Sequence, residues 1–495
     1  MWQVNRSAKG TSRARGPRAS GKAGGFLVLF LAFFCTHVLA QREVGRVTLP
    51  YASGNKIVHI EDVSPDRGSK SEGYPTYAMP WGVIHTVAIS GRQEASSPAT
   101  SWTTPNGPVV VDHVAAVDPE GHLITFYWSP HDGKDALRTD RAGWKSVDLT
   151  EKTGKTLATE QPCSWTVDDG SVLTEHIAGR AANGHVFDFS WRPGKDWTAL
   201  DVSAATNQTV AGPATSWTTG SGSKVDQNLA ARSAKNELIL FWRKPGASWQ
   251  KLNLSTAAGQ KIFGPPTGWV MGNGTERIAA RGNANNLLLF TRQSGGSWVV
   301  QDITARTQVK QRISSRVTGW DIGGVQYIAA RAPNDHLVVF TESTIDPAWL
   351  VEDVTAATNG REIVDAPVHW LTREGSTTVT HLAAPGPGVT NFFQKDHVLL
   401  FARKGSGFWS FSDLTETTGV RIGVPLTAWT TATSPGGQPA FEHLAAPTLD
   451  GRLHAFNSKV QPEKWSAVDV SDRSAGRVVF VATPYAGVWI SEDYG

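Results

Sequence analysis

Histidine recurs in this chain at one fixed place in a repeated pattern, where imidazole side chains could bind a metal ion. The place is held by His113, His176, His381 and His443. Three further copies of the pattern hold Asn228, Arg277 and Tyr327 instead, and no Cys/His cluster has metal-ligand spacing. The pattern therefore favours hydrogen bonding or the edge of a pocket over a metal site, and we expect neither a metal nor a cofactor.

Tryptophan forms a second series, in which each residue follows a small or turn residue. We call these seven the anchor tryptophans: Trp102, Trp165, Trp217, Trp269, Trp320, Trp370 and Trp429. An indole left open near the end of a strand can stack on the C–H face of a sugar ring. Repeated aromatic residues are also common in protein cores, so the series fits either a ligand platform or core packing.

Arginine follows a small-residue pair in four consecutive copies, at Arg180, Arg232, Arg281 and Arg331. A guanidinium group has several donors in a fixed fork, which suits recognition of hydroxyl or carboxylate groups beside an aromatic ring. The alternative is a solvated charge that bonds to a neighbouring part of the protein.

Aspartate or asparagine follows a further tryptophan by four residues in every copy. The pairs are Trp144/Asp148, Trp197/Asp201, Trp249/Asn253, Trp298/Asp302, Trp349/Asp353, Trp409/Asp413 and Trp465/Asp469. A residue required in every copy is expected to accept backbone N–H bonds at a turn. No catalytic motif with a nucleophile elbow, a zinc-protease helix or a phosphate loop is present, and we assign no catalytic residue.

The elements that carry these residues are short alternating runs rich in branched and aromatic side chains, which is a strand pattern. Four such runs recur about every fifty residues, and turns such as Asn183-Gly184 separate them. Seven copies of four strands predict an all-β fold, a seven-bladed β-propeller of four-stranded antiparallel blades. We expect the Ala-Ala pairs of the second run on the innermost strand, where space is short.

Three regions follow from the composition. Residues 1–40 read as a signal peptide, with an uncleaved signal anchor as the alternative, so a secreted or extracytoplasmic protein is expected. Residues 41–100 form an N-terminal segment with a degenerate repeat and a candidate closure strand, and residues 101–495 form the propeller.

The net charge is +3, with no Lys/Arg block beyond the first 25 residues, which argues against a nucleic-acid partner. Membrane contact is expected only with an uncleaved anchor, and a homo-oligomer remains open.

The repeat is clearest from Ser164 to Ser203 and resembles that of the PLL-type bacterial lectins over about residues 100–490. That family consists of seven-bladed propellers that bind fucose and related, including O-methylated, sugars in pockets between blades. The resemblance implies several shallow sugar sites. The expected ligand-binding residues are Trp165, His176 and Arg180 in copy two, Trp217, Asn228 and Arg232 in copy three, and Trp102 and His113 in copy one.

Three functions therefore compete. The first is an exported, lectin-like propeller whose partners are glycans or glycoconjugates. The second is an enzyme with one site in the central channel, which would need a non-repeated acid/base pair from residues such as Asp321, Glu342 and Asp396. The third is a protein-interaction scaffold, which full burial of the anchor tryptophans would favour.

Overall fold

A computed structural model describes the parts of the chain used below. They are residues 95–107, 109–129, 143–293, 296–343, 349–387, 396–423, 426–432, 437, 439–448, 451–459, 465–470, 479–483 and 487–491. All of them belong to the larger of two compact units, residues 71–495. The predicted signal peptide and most of the N-terminal segment, with its candidate closure strand, lie outside the described residues.

The strands group into seven antiparallel four-stranded sheets, and each sheet consists of four strands consecutive in the chain. Blades 1 to 4 are β1 (Thr100–Asn106), β2 (Val109–Val117), β3 (Leu123–Ser129), β4 (Gly143–Asp148); β5 (Cys163–Asp168), β6 (Leu173–Arg180), β7 (Val186–Trp191), β8 (Thr198–Asp201); β9 (Thr215–Thr219), β10 (Asp226–Arg232), β11 (Leu238–Arg243), β12 (Gln250–Asn253); and β13 (Thr267–Val270), β14 (Glu276–Arg281), β15 (Leu287–Arg292), β16 (Val299–Asp302). Blades 5 to 7 are β17 (Val317–Ile322), β18 (Val325–Arg331), β19 (Leu337–Glu342), β20 (Trp349–Asp353); β21 (Val368–Glu374), β22 (Thr377–Gly386), β23 (His397–Lys404), β24 (Trp409–Asp413); and β25 (Thr427–Ala432), β26 (Pro439–Pro447), β27 (Leu453–Lys459), β28 (Ser466–Asp469). The predicted seven-bladed β-propeller is confirmed. A separate hairpin, β29 (Val479–Thr483) and β30 (Gly487–Ser491), forms a two-stranded sheet of its own.

The first strand of each blade is the innermost one, because first strands contact the first strands of both neighbouring blades around the whole ring. The contact between β25 and β1 closes that ring. The expectation that the Ala-Ala strand is innermost is therefore wrong, since those alanines lie on the second strand. The small residues that the crowded axis requires are the serines and glycines that precede the anchors, such as Ser101 and Gly268.

Each blade packs against the next through a hydrophobic core of its own. The phenylalanine of every third strand lies at the centre of such a core: Phe126, Phe189, Phe241, Phe290, Phe340, Phe401 and Phe456 are at most 1% exposed. Burying one such side chain stabilises the fold by about 1.5–3 kcal/mol. The apolar positions of the repeat thus hold neighbouring blades together. We call the interface between blades 2 and 3 junction 2–3, and name the others in the same way.

Short helices follow the fourth strands, and the sequence did not predict them because four or five residues show no helical period. They are α1 (Leu149–Thr153), α2 (Val202–Thr206), α3 (Leu254–Ala258), α4 (Ile303–Arg306), α5 (Val354–Ala357) and α6 (Leu414–Thr418). The repeated Asp or Asn is the N-cap of each, and its side chain accepts a backbone N–H from the first turn. The expectation that this residue is a turn acceptor is confirmed in these six copies. None of the described helices is long and apolar enough to span a membrane.

Candidate functional site

The anchor tryptophans lie at the junctions, and most of them are buried. Six are 3–7% exposed: Trp102, Trp165, Trp217, Trp320, Trp370 and Trp429. Trp269 is partly buried. Their indole faces are therefore covered by protein, and the core-packing alternative describes their surroundings.

The predicted partners on the second strand lie directly opposite the anchors. Trp165 pairs with His176 in the register of blade 2, and their rings stack with centroids 4.8 Å apart. Trp102 stacks on His113 in blade 1 at the same distance, and Trp217 lies opposite Asn228 in blade 3. The structure therefore brings each predicted Trp together with its His or Asn, although mostly out of contact with solvent.

The indole N–H groups connect neighbouring blades. Five of the seven donate to a side chain of the next blade's second strand, with nitrogen–oxygen distances from 2.6 to 3.1 Å. The pairs are Trp102 with Glu175, Trp165 with Gln227, Trp217 with Glu276, Trp370 with Glu442 and Trp429 with Asp112. Within the described residues, the Nε1 atoms of Trp269 and Trp320 have no hydrogen-bond partner. The anchors thus act as cross-links between blades.

The predicted arginines lie away from the anchors. Arg180 follows His176 by four residues on β6, which places their Cα atoms roughly 13 Å apart. It donates from Nε to Glu160 Oε2 over 2.8 Å. Arg232 donates from Nη1 to Asn236 Oδ1 and from Nη2 to the Ala211 carbonyl. The structure therefore does not join these arginines to the Trp–His pairs in one pocket, and their role in binding stays a prediction.

A different set of arginines, which the sequence analysis missed, does lie on tryptophan at the junctions. Arg243 of β11 covers the Trp249 ring with 4.7 Å between guanidinium carbon and ring centroid. Arg403 of β23 covers Trp409 at 4.5 Å, and Arg292 of β15 lies 5.3 Å from the Trp298 centroid. These distances are within the range of cation–π attraction.

Hydrogen bonds fix the same three guanidinium groups in place, and in blade 4 Arg292 Nε donates to Glu276 Oε1 over 2.9 Å. Arg243 Nη2 donates to Asp188 Oδ2 of blade 2 over 3.1 Å and to Gln227 Oε1 of blade 3 over 2.8 Å. Arg403 Nη1 donates to Glu352 Oε2 of blade 5 over 2.8 Å. The side chains of Arg243, Arg292 and Arg403 keep 17%, 28% and 13% of their surface exposed, so part of each remains open to a ligand. The result is a cation held between an indole and a carboxylate.

The sequence does carry a signal for these residues. Each arginine stands two positions after the phenylalanine of the third strand, as in Phe241-Trp242-Arg243 and Phe401-Ala402-Arg403. Only copies three, four and six have it, so a search for features common to all copies passes over it. For locating a candidate binding site, positions at which the copies differ are therefore more informative than positions that all copies share.

Junction 1–2 carries a different polar group. Glu175 is 4% exposed, and burial raises its pKa from the ordinary 4.5 to about 7, against a smaller lowering by the Trp102 N–H. Burial also lowers the pKa of His113 from 6.5 to about 3. The two side chains lie 3.5 Å apart, between His113 Nδ1 and Glu175 Oε2. Near neutral pH this junction holds an uncharged imidazole beside a carboxyl group that is close to its titration point.

The acids proposed for a channel enzyme do not come together. Glu342 pairs with Arg277, with 3.8 Å between Oε2 and Nη2, and Asp396 pairs with Arg421 at 3.1 Å. Asp321 Oδ2 is buried and has no hydrogen-bond partner among the described residues. None of the three lines the cavity at the propeller axis.

Ligand atoms suited to a metal ion lie within 4.8 Å of one another at one place in the described part of the chain, His397, Asp413 and Glu416. Asp413 is the N-cap of α6, and its Oδ2 bonds to His397 Nδ1 over 2.7 Å. His122 with Asp148 and His185 with Asp201 repeat this pair, so the arrangement has a structural explanation.

Comparison with solved structures finds propeller lectins. The BP39L lectin from Burkholderia pseudomallei is 14% identical with a TM-score of 0.52, and the match covers 76% of this chain and all of that one (100%). The Aleuria aurantia lectin, described as a six-bladed β-propeller that recognises fucose, is 13% identical with a TM-score of 0.40, covering 63% and 96%. AofleA from Arthrobotrys oligospora is 13% identical with a TM-score of 0.40, covering 67% and 90%.

The likeness to BP39L concerns the fold, because the identity is low. Comparison with protein-family models finds no match, and comparison with curated proteins finds none either.

Proposed function

We propose that this chain is a carbohydrate-binding propeller that holds sugars at several of the junctions between its blades. The observation that carries the proposal is the group at junctions 2–3, 3–4 and 5–6, where a partly exposed arginine lies on a tryptophan and bonds to an acid. The fold likeness to a solved propeller lectin supports the same conclusion.

The junction chemistry suits neutral sugars. A sugar ring offers vicinal hydroxyls, which accept from a guanidinium fork and donate to a carboxylate beside it. At junction 5–6, Arg403 and Glu352 are such a pair, because the Glu352 side chain keeps 41% of its surface exposed and Trp409 lies beneath the guanidinium. At junction 2–3, Asp188 is buried, so the sugar contact there falls to Arg243. Single sites of this size bind weakly, and several of them on one ring raise the overall affinity for a multivalent glycan surface.

The residues predicted for copies one to three keep a supporting role in this proposal. Trp165 donates to Gln227, which also accepts from Arg243, so the anchor of blade 2 orients the exposed guanidinium of blade 3. Trp217 acts in the same way through Glu276, which accepts from Arg292 Nε. Loss of an anchor should therefore weaken binding without the anchor touching the sugar.

Fucose and O-methylated sugars are the first candidates, because the repeat resembles that of the PLL-type lectins. The Aleuria aurantia lectin has also been solved with α-methyl-L-fucoside. We further propose that the chain acts outside the cytoplasm, on the strength of the signal sequence predicted for residues 1–40. Its partners would then be cell-surface or secreted glycans.

A glycan array tests the proposal with the full chain and the triple variant Arg243→Gln/Arg292→Gln/Arg403→Gln. We expect signals on fucosylated or O-methylated glycans that fall at least tenfold in the triple variant. Lys244→Gln is the matched control, since it removes an exposed charge next to Arg243 and should leave the signals unchanged. Silence of the folded wild type across neutral glycans would overturn the proposal.

A scaffold function is the second candidate, because six of the seven anchors are buried, as that function predicts. The array distinguishes the two, since a protein-interaction scaffold gives no glycan signal. The channel enzyme has no comparable support, because Asp321, Glu342 and Asp396 lie apart.

A further inference from the structure

A cavity of about 550 Å³ lies on the propeller axis, at the end where the first strands begin. Its walls come from the segments that lead into the first strands of all seven blades, from Pro98 before β1 to Leu426 before β25. The volume is in the range of small-molecule sites. The cavity lies apart from Arg243, Arg292 and Arg403, none of which lines it.

Arg316 spans this cavity. It belongs to blade 5, yet its Nη1 donates to Gln161 Oε1 of blade 2, so the side chain crosses the axis. Its Nε donates to Thr267 Oγ1 of blade 4 over 3.1 Å. No partner for Nη2 is found among the described residues. The two bonds hold the guanidinium in a fixed orientation on the wall of the cavity, with one nitrogen left for a ligand.

The cation has no carboxylate partner within 4.0 Å in the described part of the chain. Burial lowers the pKa of Arg316, and the charges of Cys163 and Asp365 raise it. Arg316 is partly buried, and a guanidinium withdrawn from bulk water without a paired anion is costly. A bound anion would remove that cost. A bound anionic ligand therefore explains the unpaired Arg316 cation better than a role in stabilising the fold does.

The unpaired charged side chains on the cavity wall together carry a net charge of +1. Among the residues that the structure describes, Arg281 bonds only to the neutral Asn285, over 2.7 Å from Nη1 to Oδ1. Glu160 is neutralised by Arg180, which lies 2.5 Å from it. Asp365 accepts from the Ala366 amide and lines the wall without an ion pair among the described residues. Two arginines against one unpaired carboxylate favour a monoanion and disfavour a dianion such as sulfate.

We propose that the axial cavity binds a small acidic sugar of the uronic-acid class, with its carboxylate on Arg316. Hydroxyl groups of Thr267, Ser314 and Ser315 line the same wall and can accept hydrogen bonds from sugar hydroxyls. The remaining Nη2 can donate a charge-assisted hydrogen bond to the ligand carboxylate, and this bond orients the ligand. This site is independent of neutral-sugar binding at the junctions.

Isothermal titration calorimetry on the full chain tests the site with D-glucuronate, D-glucose and sodium sulfate. We expect heat from glucuronate, none from glucose, and binding of sulfate at least tenfold weaker than of glucuronate. Arg316→Gln should weaken glucuronate binding at least tenfold. Arg312→Gln is the control, because Arg312 is exposed on the same segment and does not line the cavity.

Three results would overturn the proposal: no glucuronate binding, equal binding of glucose or sulfate, or unchanged binding in a folded Arg316→Gln variant. If Arg316→Gln does not fold, Arg281→Gln replaces it, and the thermal midpoint of the wild type must rise with glucuronate but not with glucose. A parallel titration with α-methyl-L-fucoside separates the two proposals. Fucoside binding without glucuronate binding removes only the axial site, and the reverse result removes only the junction sites.

Discussion

At the residue scale, the junctions differ in whether the indole N–H of the anchor tryptophan has a hydrogen-bond acceptor. Trp217 donates to Glu276 Oε2 over 3.0 Å, whereas Trp269, one blade further on, has no acceptor among the described residues. Each ring lies against a glycine of the next blade, Gly268 or Gly319, although Trp269 is the more exposed of the two. The chain therefore contains its own control for the value of one inter-blade hydrogen bond.

Trp217→Phe should destabilise the protein more than Trp269→Phe. Both substitutions remove the same ring atoms, but only the first leaves a buried carboxylate with one donor fewer, which costs roughly 1–3 kcal/mol. Urea unfolding followed by circular dichroism measures both free energies. Equal losses in the two variants would show that the anchor stabilises by packing alone.

Glu175 makes stability depend on pH in a direction opposite to that of a paired carboxylate. The folded chain keeps this proton up to about pH 7, while the unfolded chain releases it near 4.5. The folded state thus binds more protons in that window, and this contribution to stability falls as the pH rises. The pKa of His113 is lowered from 6.5 to about 3, so between these values the unfolded chain binds more protons. The contribution of His113 to stability therefore rises as the pH rises.

Glu175→Gln removes the pH dependence of stability that Glu175 causes and leaves the one that His113 causes. We expect the variant to match the wild type near pH 4 and to exceed its stability at pH 8, by on the order of 3 kcal/mol. Unfolding midpoints at both pH values provide the measurement. Glu276→Gln is the comparison at the same register, because it weakens the bonds to Arg292 and Trp217 and should lose stability. A Glu175→Gln variant no more stable at pH 8 than at pH 4, relative to wild type, would contradict the account.

At the element scale, the first strands approach one another so closely that glycine is required at two places. A Cβ on Gly268 would lie 2.3 Å from Trp217 Cε3, and one on Gly319 would lie 2.6 Å from the Trp269 ring. Copies one to three have serine at this position. The glycines therefore mark the junctions where an anchor ring lies directly on the neighbouring backbone.

Gly268→Ala should lower the free energy of unfolding by about 1–3 kcal/mol, because the added methyl group forces the Trp217 ring to move. Gly272→Ala in the adjoining turn is the control, since its Cβ would meet only Asp321 Oδ1, at an ordinary 3.5 Å. Differential scanning calorimetry compares the two midpoints. A Gly268→Ala variant as stable as the control would mean that the β9 and β13 backbones can separate without cost.

The sequence predicted the strands well because two-residue alternation and the Asn183-Gly184 type of turn are local signals. It missed the helices, which depend on the cap at residues such as Asp201 and are too short to show a period. It misplaced the Ala-Ala strand, since strand order within a blade depends on contacts with other blades. Arg243 was missed because only three copies have an arginine at this position, and its partner Asp188 comes from a neighbouring blade.

At the scale of the whole molecule, the ring closes through a junction of the same kind as the others. Trp429 of blade 7 donates to Asp112 of blade 1 over 3.1 Å, and Ser101 bonds to Thr427 over 2.9 Å. The ring thus contains seven junctions that share one geometry and differ in their polar side chains. That arrangement allows several weak sites to act together while other junctions serve stability alone.

The proposed sugar sites are the junctions where arginine lies on tryptophan. Calorimetric titration of the full chain with α-methyl-L-fucoside counts these sites. We expect more than one site per chain, a stoichiometry that falls by one in each of Arg243→Gln, Arg292→Gln and Arg403→Gln, and no change in Lys244→Gln. Absence of binding, or a stoichiometry unaffected by all three arginine substitutions in folded protein, would contradict it.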